Sequence, residues 1–191
     1  MAGSVSVPAI ETRWSTADEE ALAHDGQRTP ALFKKLYLLW VDAIFKYLLH
    51  QVGDQSIAED MTSQVFLKAF EQLPRYKHRG HFAAWLFTIA RNSARDHYRR
   101  SPREVPIETA EVPAAASDLL DGIVAADEIS RLDRLIRALP EDELELVRLR
   151  YVAGLSYAEI GAMLHRSEEA TRKAIFRLLG RLRGQMGGSN G

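Results

Sequence analysis

Arg91, Arg95 and Arg99 recur every fourth residue within 80–100, GHFAAWLFTIARNSARDHYRR, and with Thr88 and Asn92 they make one cationic, hydrogen-bonding helix face. On the opposite side Phe82, Trp85, Leu86, Ile89 and Ser93 recur at three- and four-residue steps and share a packing stripe. Between Arg75 and Arg103 the only acid is Asp96. A merely solvated face mixes signs to gain i,i+4 pairs and avoid self-repulsion. The unmatched cationic face is suited to an anion, and nucleic acid fits it best.

The stretch before it, 75–82 (RYKHRGHF), interleaves Arg75, Lys77, His78, Arg79 and His81 with Tyr76 and Phe82. Cations there neutralise phosphates while aromatic faces stack exposed bases, each stack contributing roughly 1 to 3 kcal/mol. That combination suits an unpaired strand, because duplex readers place a polar helix in the major groove without an aromatic platform. A second cationic set stands near the C-terminus. Arg172, Lys173, Arg177, Arg181 and Arg183 share the outer face of a helix whose inner stripe is Thr171, Ile175, Leu178 and Leu182. With a short capped helix before it, this reads as a helix-turn-helix whose second helix enters a major groove.

Catalytic chemistry is not expected. His78, His81 and His97 lack a carboxylate spacing that would complete a metal set, and the acidic pairs read as helix caps and connector charges. No cofactor, metal or catalytic residue is predicted, and the protein is not expected to be an enzyme. The absence of Cys excludes disulfides, thiolate zinc sites and Cys nucleophiles. Residues 1–14 lack a basic segment followed by an apolar run, and no stretch approaches about 18 apolar residues. A cytoplasmic location without membrane insertion is expected.

The elements that must position these faces are helices, so the fold class expected is all-α, with two small helical domains joined by an extended linker. Leu32, Phe33, Leu36, Tyr37, Trp40, Ile44, Phe45, Leu48 and Val52 form one stripe after Pro30, which suits a first turn. Gly53-Asp54 breaks it, and Ser56 with Glu59 reads as a capping box opening a second helix to about Leu73. That helix turns Ile57, Met61, Val65, Phe66 and Phe70 inward and leaves Glu59, Asp60 and Gln64 outward. Farther on, 129–139 forms a stripe ended by Pro140. Leu144, Val147 and Tyr151 face inward on the next helix, Ser156 and Glu159 form a capping box, and Ser167 caps the last helix.

Between the two cationic regions the net charge of −1 conceals an acidic, Pro- and Ala-rich stretch. The division expected is therefore an extension with at most a short helix near 18–23 (1–29), a first unit (30–103), a linker (104–126), a second unit (127–186) and a tail (187–191). A coil of some 23 residues spans about 26 Å, but stretched it reaches about 75 Å. Two turns of duplex measure about 70 Å, so gripping sites that far apart requires the linker to be drawn out.

Together, AEDMTSQVFLKAF, FAAWLFTIARNSARDHYRR and LPEDELELVRLRYVAGLSYAEIGAML resemble bacterial RNA polymerase sigma factors of the extracytoplasmic-function type, over about 30–103 and 128–184. The resemblance implies a subunit that binds core RNA polymerase, recognises −10 and −35 promoter elements and promotes strand opening. It places Asp60, Gln64 and Phe66 against the clamp helices of the polymerase largest subunit, with Gln64 standing where the family often has Glu. The second unit would meet the flap. Tyr76, Lys77, Arg79, Trp85, Arg91, Asn92, Arg95, Asp96, Arg99 and Arg100 would contact the −10 element, including its unpaired non-template strand. Ser167, Arg172, Lys173, Arg177 and Arg181 would contact −35 duplex.

In this last part Glu169-Ala170-Thr171 replaces the family's usual Gly-Thr-Val, and Ala174, Leu179 and Gly180 occupy positions often basic. An anti-sigma protein is the further partner implied. Two alternatives remain open: a sigma-like decoy that binds an anti-sigma protein without driving transcription, and a stand-alone helix-turn-helix regulator. The basic −10 face is superfluous to a decoy, and the first unit with its aromatic loop is superfluous to a regulator.

Overall fold

The structure, a computed structural model, describes residues 23, 30–77, 81–100 and 126–187. Every element among them is helical, as the all-α reading requires. Arg79, the stretch 101–125 and all of 1–29 except Ala23 lie outside the described residues. Ala23, the one described member of the short helix expected near 18–23, is helical and fully buried in the core.

The first unit has three long helices: α1 (Pro30–Val52), α2 (Gln55–Gln72) and α3 (Phe82–Arg100). Leu36, Trp40, Ile44, Tyr47 and Leu48 form the buried stripe of α1. Tyr37 and Phe70, expected inside, lie at the solvent edge of the α1–α2 pair, where Phe33 meets Phe70 and Tyr37 meets Phe66 edge-on. Gly53 ends α1 at φ +69°, a left-handed conformation that costs glycine least, and its N–H donates to Leu49 O at 2.8 Å.

Asp54, not Ser56, caps α2: Asp54 Oδ1 accepts from Ile57 N at 2.9 Å. Ser56 is already within the first turn, and Glu59 instead accepts from Gln55 Nε2. The carboxylate two residues earlier reaches the free N–H groups, so the expected capping box does not form. A short 3-10 turn, Leu73–Arg75, closes α2.

Helix α3 is buried more widely than its stripe implied. Ala83, Ala84, Phe87, Ala90 and Ala94 join Phe82, Leu86, Ile89 and Ser93 inside, because small alanines let neighbouring helices approach. Phe87 meets Trp40 and Tyr47 edge-on, at ring separations of 5.9 and 5.4 Å. Buried Ser93 Oγ accepts from Lys68 Nζ at 3.1 Å, tying α2 to α3.

The second unit comprises α4 (Ala126–Arg137), α5 (Glu141–Val147), α6 (Tyr157–Leu164) and α7 (Glu168–Gly187), with a π-helical segment, Arg148–Val152, continuing α5. Here the inward face differs from the expected Leu144, Val147 and Tyr151. Glu145, Leu146 and Leu149 are the buried residues, while those three are half-buried. Glu145 enters because donors from the first unit, Tyr47, Gln51 and Arg91, meet it there.

Helices α6 and α7 form the helix-turn-helix. Ser156 and Glu159 make the capping box expected, and Ser167 Oγ accepts from Ala170 N at 3.1 Å. The turn is tight at Gly161, where an added Cβ would lie 2.7 Å from Arg166 O. The two units share one buried cluster, joined where α6 packs on α3 and the π segment packs on α1.

Candidate nucleic-acid interface

The first candidate surface begins at an aromatic corner. Tyr76 stands 4.8 Å from Trp85 and 5.7 Å from Phe82, ring centre to ring centre, and Phe82 is 5.4 Å from Trp85. Phe82 is buried, whereas Tyr76 and Trp85 are half-buried and keep part of their surface open. Tyr76 is thus packed into a cluster. Lys77 beside it is exposed.

Along α3, Asn92, Arg95, Arg99 and Arg100 are exposed. Asp96 pairs with Arg99 at 3.2 Å, so the only acid of the face meets one of its cations. Thr88 Oγ1 donates to Ala84 O at 2.7 Å, turning its hydroxyl back to the helix backbone. Arg91 leaves the expected pattern: its Nε lies 3.3 Å from Glu145 Oε1 of α5. The sequence showed no acid near Arg91 because this one is far away in the chain.

Glu145 is 4% exposed and sits among first-unit donors. Tyr47 Oη and Gln51 Nε2 each donate to it at 2.8 Å. Burial, and after it the Glu145 carboxylate, pushes the Tyr47 phenol well above its usual range. Arg148 Nη1 donates to Gln51 Oε1 at 3.3 Å and to Glu141 at 2.7 Å. His50 lies beside this group, its pKa lowered by burial first and by the Arg148 charge second. Thr88, Arg91, Asn92 and Arg95 therefore face an open cleft whose far wall includes Glu141, Arg148 and Arg166 of the second unit.

The second candidate surface is α7. Arg172, Lys173 and Arg177 are exposed around a shallow hollow with Ala170 and Phe176. Phe176, 61% exposed, was not anticipated by the sequence reading. Its signal was an aromatic residue one position beyond the inner stripe, between Lys173 and Arg177. Two of these cations are met by acids, because Lys173 pairs with Glu169 at 2.7 Å and Arg181 with Glu143. The first acid lies four residues earlier on the same helix and the second comes from α5.

A third set was assigned to docking. Asp60 and Gln64 are exposed on α2, but Phe66 is 5% exposed and packs against Tyr37 at 4.7 Å. Phe66 supports that face from below. Leu67, 59% exposed, and Phe70 are the apolar side chains open on α2, and Leu67 falls off the helix's apolar stripe, which was its sequence signal. Among the described residues no cluster of metal-ligating side chains occurs, and no helix is long and apolar enough to cross a membrane.

The family models for sigma-70 region 2 and sigma-70 region 4 match residues 36–104 and 129–182. The ECF RNA polymerase sigma factor ShbA of Streptomyces griseus is 32% identical over 171 residues, covering 85% of this chain and 90% of ShbA. The ECF RNA polymerase sigma factor BldN of Streptomyces coelicolor is 32% identical over 149 residues, covering 76% of this chain but only 56% of BldN. In fold, the chain is similar to the sigma factor RpoE of Bartonella quintana, solved with the anti-sigma factor NepR: TM-score 0.58, 24% identity, 81% of this chain and 96% of that one. Two helical units, two separate cationic faces and matches to both regions in chain order converge, and the chain belongs to the extracytoplasmic-function group of the sigma-70 family of RNA polymerase sigma factors.

Proposed function

We propose that this chain acts in the cytoplasm as an initiation factor that brings core RNA polymerase to promoters and opens them, without chemistry of its own. The first unit (30–103) engages the clamp helices of the polymerase largest subunit through Asp60 and Gln64, with Phe66 holding that face in place and Leu67 adding apolar area. Its −10 surface combines Tyr76, Lys77, Arg79 and Trp85 with Arg91, Asn92, Arg95, Asp96, Arg99 and Arg100. Asn92 and Arg95 supply hydrogen bonds and charge to an unpaired strand, and the Tyr76–Trp85 corner supplies a stacking edge.

The second unit (127–186) meets the flap and reads −35 duplex through α7. Arg172, Lys173 and Arg177 neutralise phosphates, Ser167 orders the helix start, and Phe176 offers apolar contact to a thymine methyl. Arg181 reaches DNA only after leaving Glu143. The acidic stretch 104–126 runs through the polymerase, and an anti-sigma protein is the opposing partner, as NepR is for RpoE.

The observation that carries this reading is the exposed Asn92–Arg95–Arg99 face beside the aromatic corner, on a unit separate from the helix-turn-helix. Run-off transcription with purified core polymerase on a promoter library tests it. Promoter-specific transcripts that require the chain are expected. A chain that binds duplex tightly and specifically without polymerase, and yields no transcript with it, is a stand-alone regulator instead.

A further inference from the structure

The outermost row of α7 carries a carboxylate. Thr171, Ile175, Leu178 and Leu182 are the buried stripe of this helix, and at about 100° per residue Glu169 and Lys173 fall within about 30° of the line opposite it. Arg172 and Arg177, both exposed, stand to either side of that line. Glu169 is the second residue of α7, and the N-terminal residues of a recognition helix are the ones that reach base edges. It is also one of the positions at which this chain departs from the family's usual Gly-Thr-Val. Both side chains of the central row are open, 64% exposed at Glu169 and 71% at Lys173, and Lys173 Nζ lies 2.7 Å from Glu169 Oε1.

A carboxylate in that row opposes DNA binding unless the DNA supplies a donor to it. An acid in the first turn stabilises a helix, but exposed Glu168 gives that benefit already, from a position about 130° round from the groove-facing line. Phosphates repel Glu169 whatever the sequence, and loss of water from an unpaired carboxylate adds to the penalty. The ion pair with Lys173 lessens this general penalty by engaging Oε1 and leaves Oε2 to face the base edges. The pair thus disfavours most sequences and favours one that presents an N–H.

We propose that Glu169 reads one cytosine of the −35 element, its free carboxylate oxygen accepting from the cytosine N4 amine, and that Lys173 is the residue that positions it. The proposal deepens the reading of α7 as the −35 helix and rests on it. In the major groove only cytosine N4 and adenine N6 present N–H donors, while guanine O6 and thymine O4 are acceptors that repel a carboxylate. Adenine sets its N7 acceptor beside N6, an edge matched by the amide of Asn or Gln, whereas cytosine has no acceptor next to N4. Cytosine is therefore the base that a carboxylate selects.

A duplex promoter library randomised across the −35 region, retained by the full-length chain assembled with core polymerase and then sequenced, tests this. Wild type should favour cytosine about tenfold over the other bases at one position, within the discrimination that a good base-edge contact gives. Glu169→Ala should bring that position near parity and leave preferences elsewhere in place. Glu169→Gln should move the preference to adenine, because an amide matches N6 and N7 together. Lys173→Ala should weaken retention of every template and blunt the cytosine preference, while Lys173→Arg, which keeps the ion pair, should preserve that preference. Urea midpoints close to wild type are expected throughout, since both side chains lie on the surface.

Folded Glu169 variants that keep the wild-type preference at every position overturn the proposal. So does a wild type with no cytosine preference anywhere in the −35 region, and so does a loss in Glu169→Ala that spreads evenly over all positions. Promoter-specific transcripts together with unchanged preferences in the Glu169 variants overturn the base contact alone and leave the initiation role intact. The same selection with the full-length chain alone at low salt gives the converse. A chain inert with polymerase that still selects cytosine through Glu169 supports the base contact and overturns only the initiation role.

Discussion

Phe66 and Asp60 lie close together in sequence and face opposite ways, so their substitutions separate folding from docking. Phe66 is buried against Tyr37, and Phe66→Ala removes an aromatic ring from a packed site at a cost of about 3 to 5 kcal/mol. The urea midpoint should fall sharply, and polymerase binding should fall with it. Asp60 is exposed, and Asp60→Arg should leave the midpoint within about 0.5 kcal/mol of wild type while weakening pull-down of core polymerase. Unchanged pull-down by Asp60→Arg would remove α2 from the docking surface. On α3, Asn92→Ala and Arg95→Ala should slow strand opening, read by permanganate reactivity, because exposed bases lose partners that offset unpairing. Arg172→Ala and Arg177→Ala should instead weaken duplex docking, each reducing the salt slope by about one unit. If the α7 pair abolishes opening on a pre-melted template while the α3 pair is silent there, the assignment of the two surfaces is reversed.

Helix periods were legible because each helix buries one face, and the 3.6-residue repeat records that burial. Less legible was where a helix begins to within a residue or two. Ser56 with Glu59 read as the cap, and the backbone path after Gly53 selects Asp54 instead. Asp54→Ala should therefore cost about 1 kcal/mol, and Ser56→Ala less than about 0.5 kcal/mol, in urea unfolding. Equal costs would restore the capping box at Ser56. The π segment that continues α5 was illegible for a different reason, because no propensity marks it. The burial of Glu145 was hidden most deeply. A charged residue enters a core only where donors already wait, and these donors come from helices on the other unit. The helix-turn-helix was legible from Ser156, Glu159 and Ser167, yet its tightest constraint is Gly161. Gly161→Ala sets a methyl 2.7 Å from Arg166 O, and the backbone shift this forces should cost about 1 to 3 kcal/mol and reduce −35 binding in proportion.

At the scale of the molecule, the union of the two units carries a titratable group at its seam. His50 lines the cleft, and its pKa lies below the ordinary histidine value because burial disfavours the cation and Arg148 of the second unit repels it. A base whose pKa is lowered in the closed form is protonated more readily once the units part or unfold. Between the two values the open form binds more protons, so closure is strengthened as pH rises. The full contribution is present above about pH 6.5, the ordinary histidine value, and is lost as pH falls through the lowered one. The facing groups do not reverse this sign: Arg148 opposes the imidazolium, while Glu141 and Glu145 are already committed to Arg148 and to Tyr47, Gln51 and Arg91. Radius of gyration measured from pH 8 down to pH 5.5 should therefore increase toward the acid end, and affinity for single-stranded DNA should rise with it at constant salt. His50→Gln, which cannot acquire the charge, should flatten the radius profile while leaving the Glu145 contacts in place. The radius decides the outcome. A profile as steep in His50→Gln as in wild type would mean that the seam is not sensed through His50.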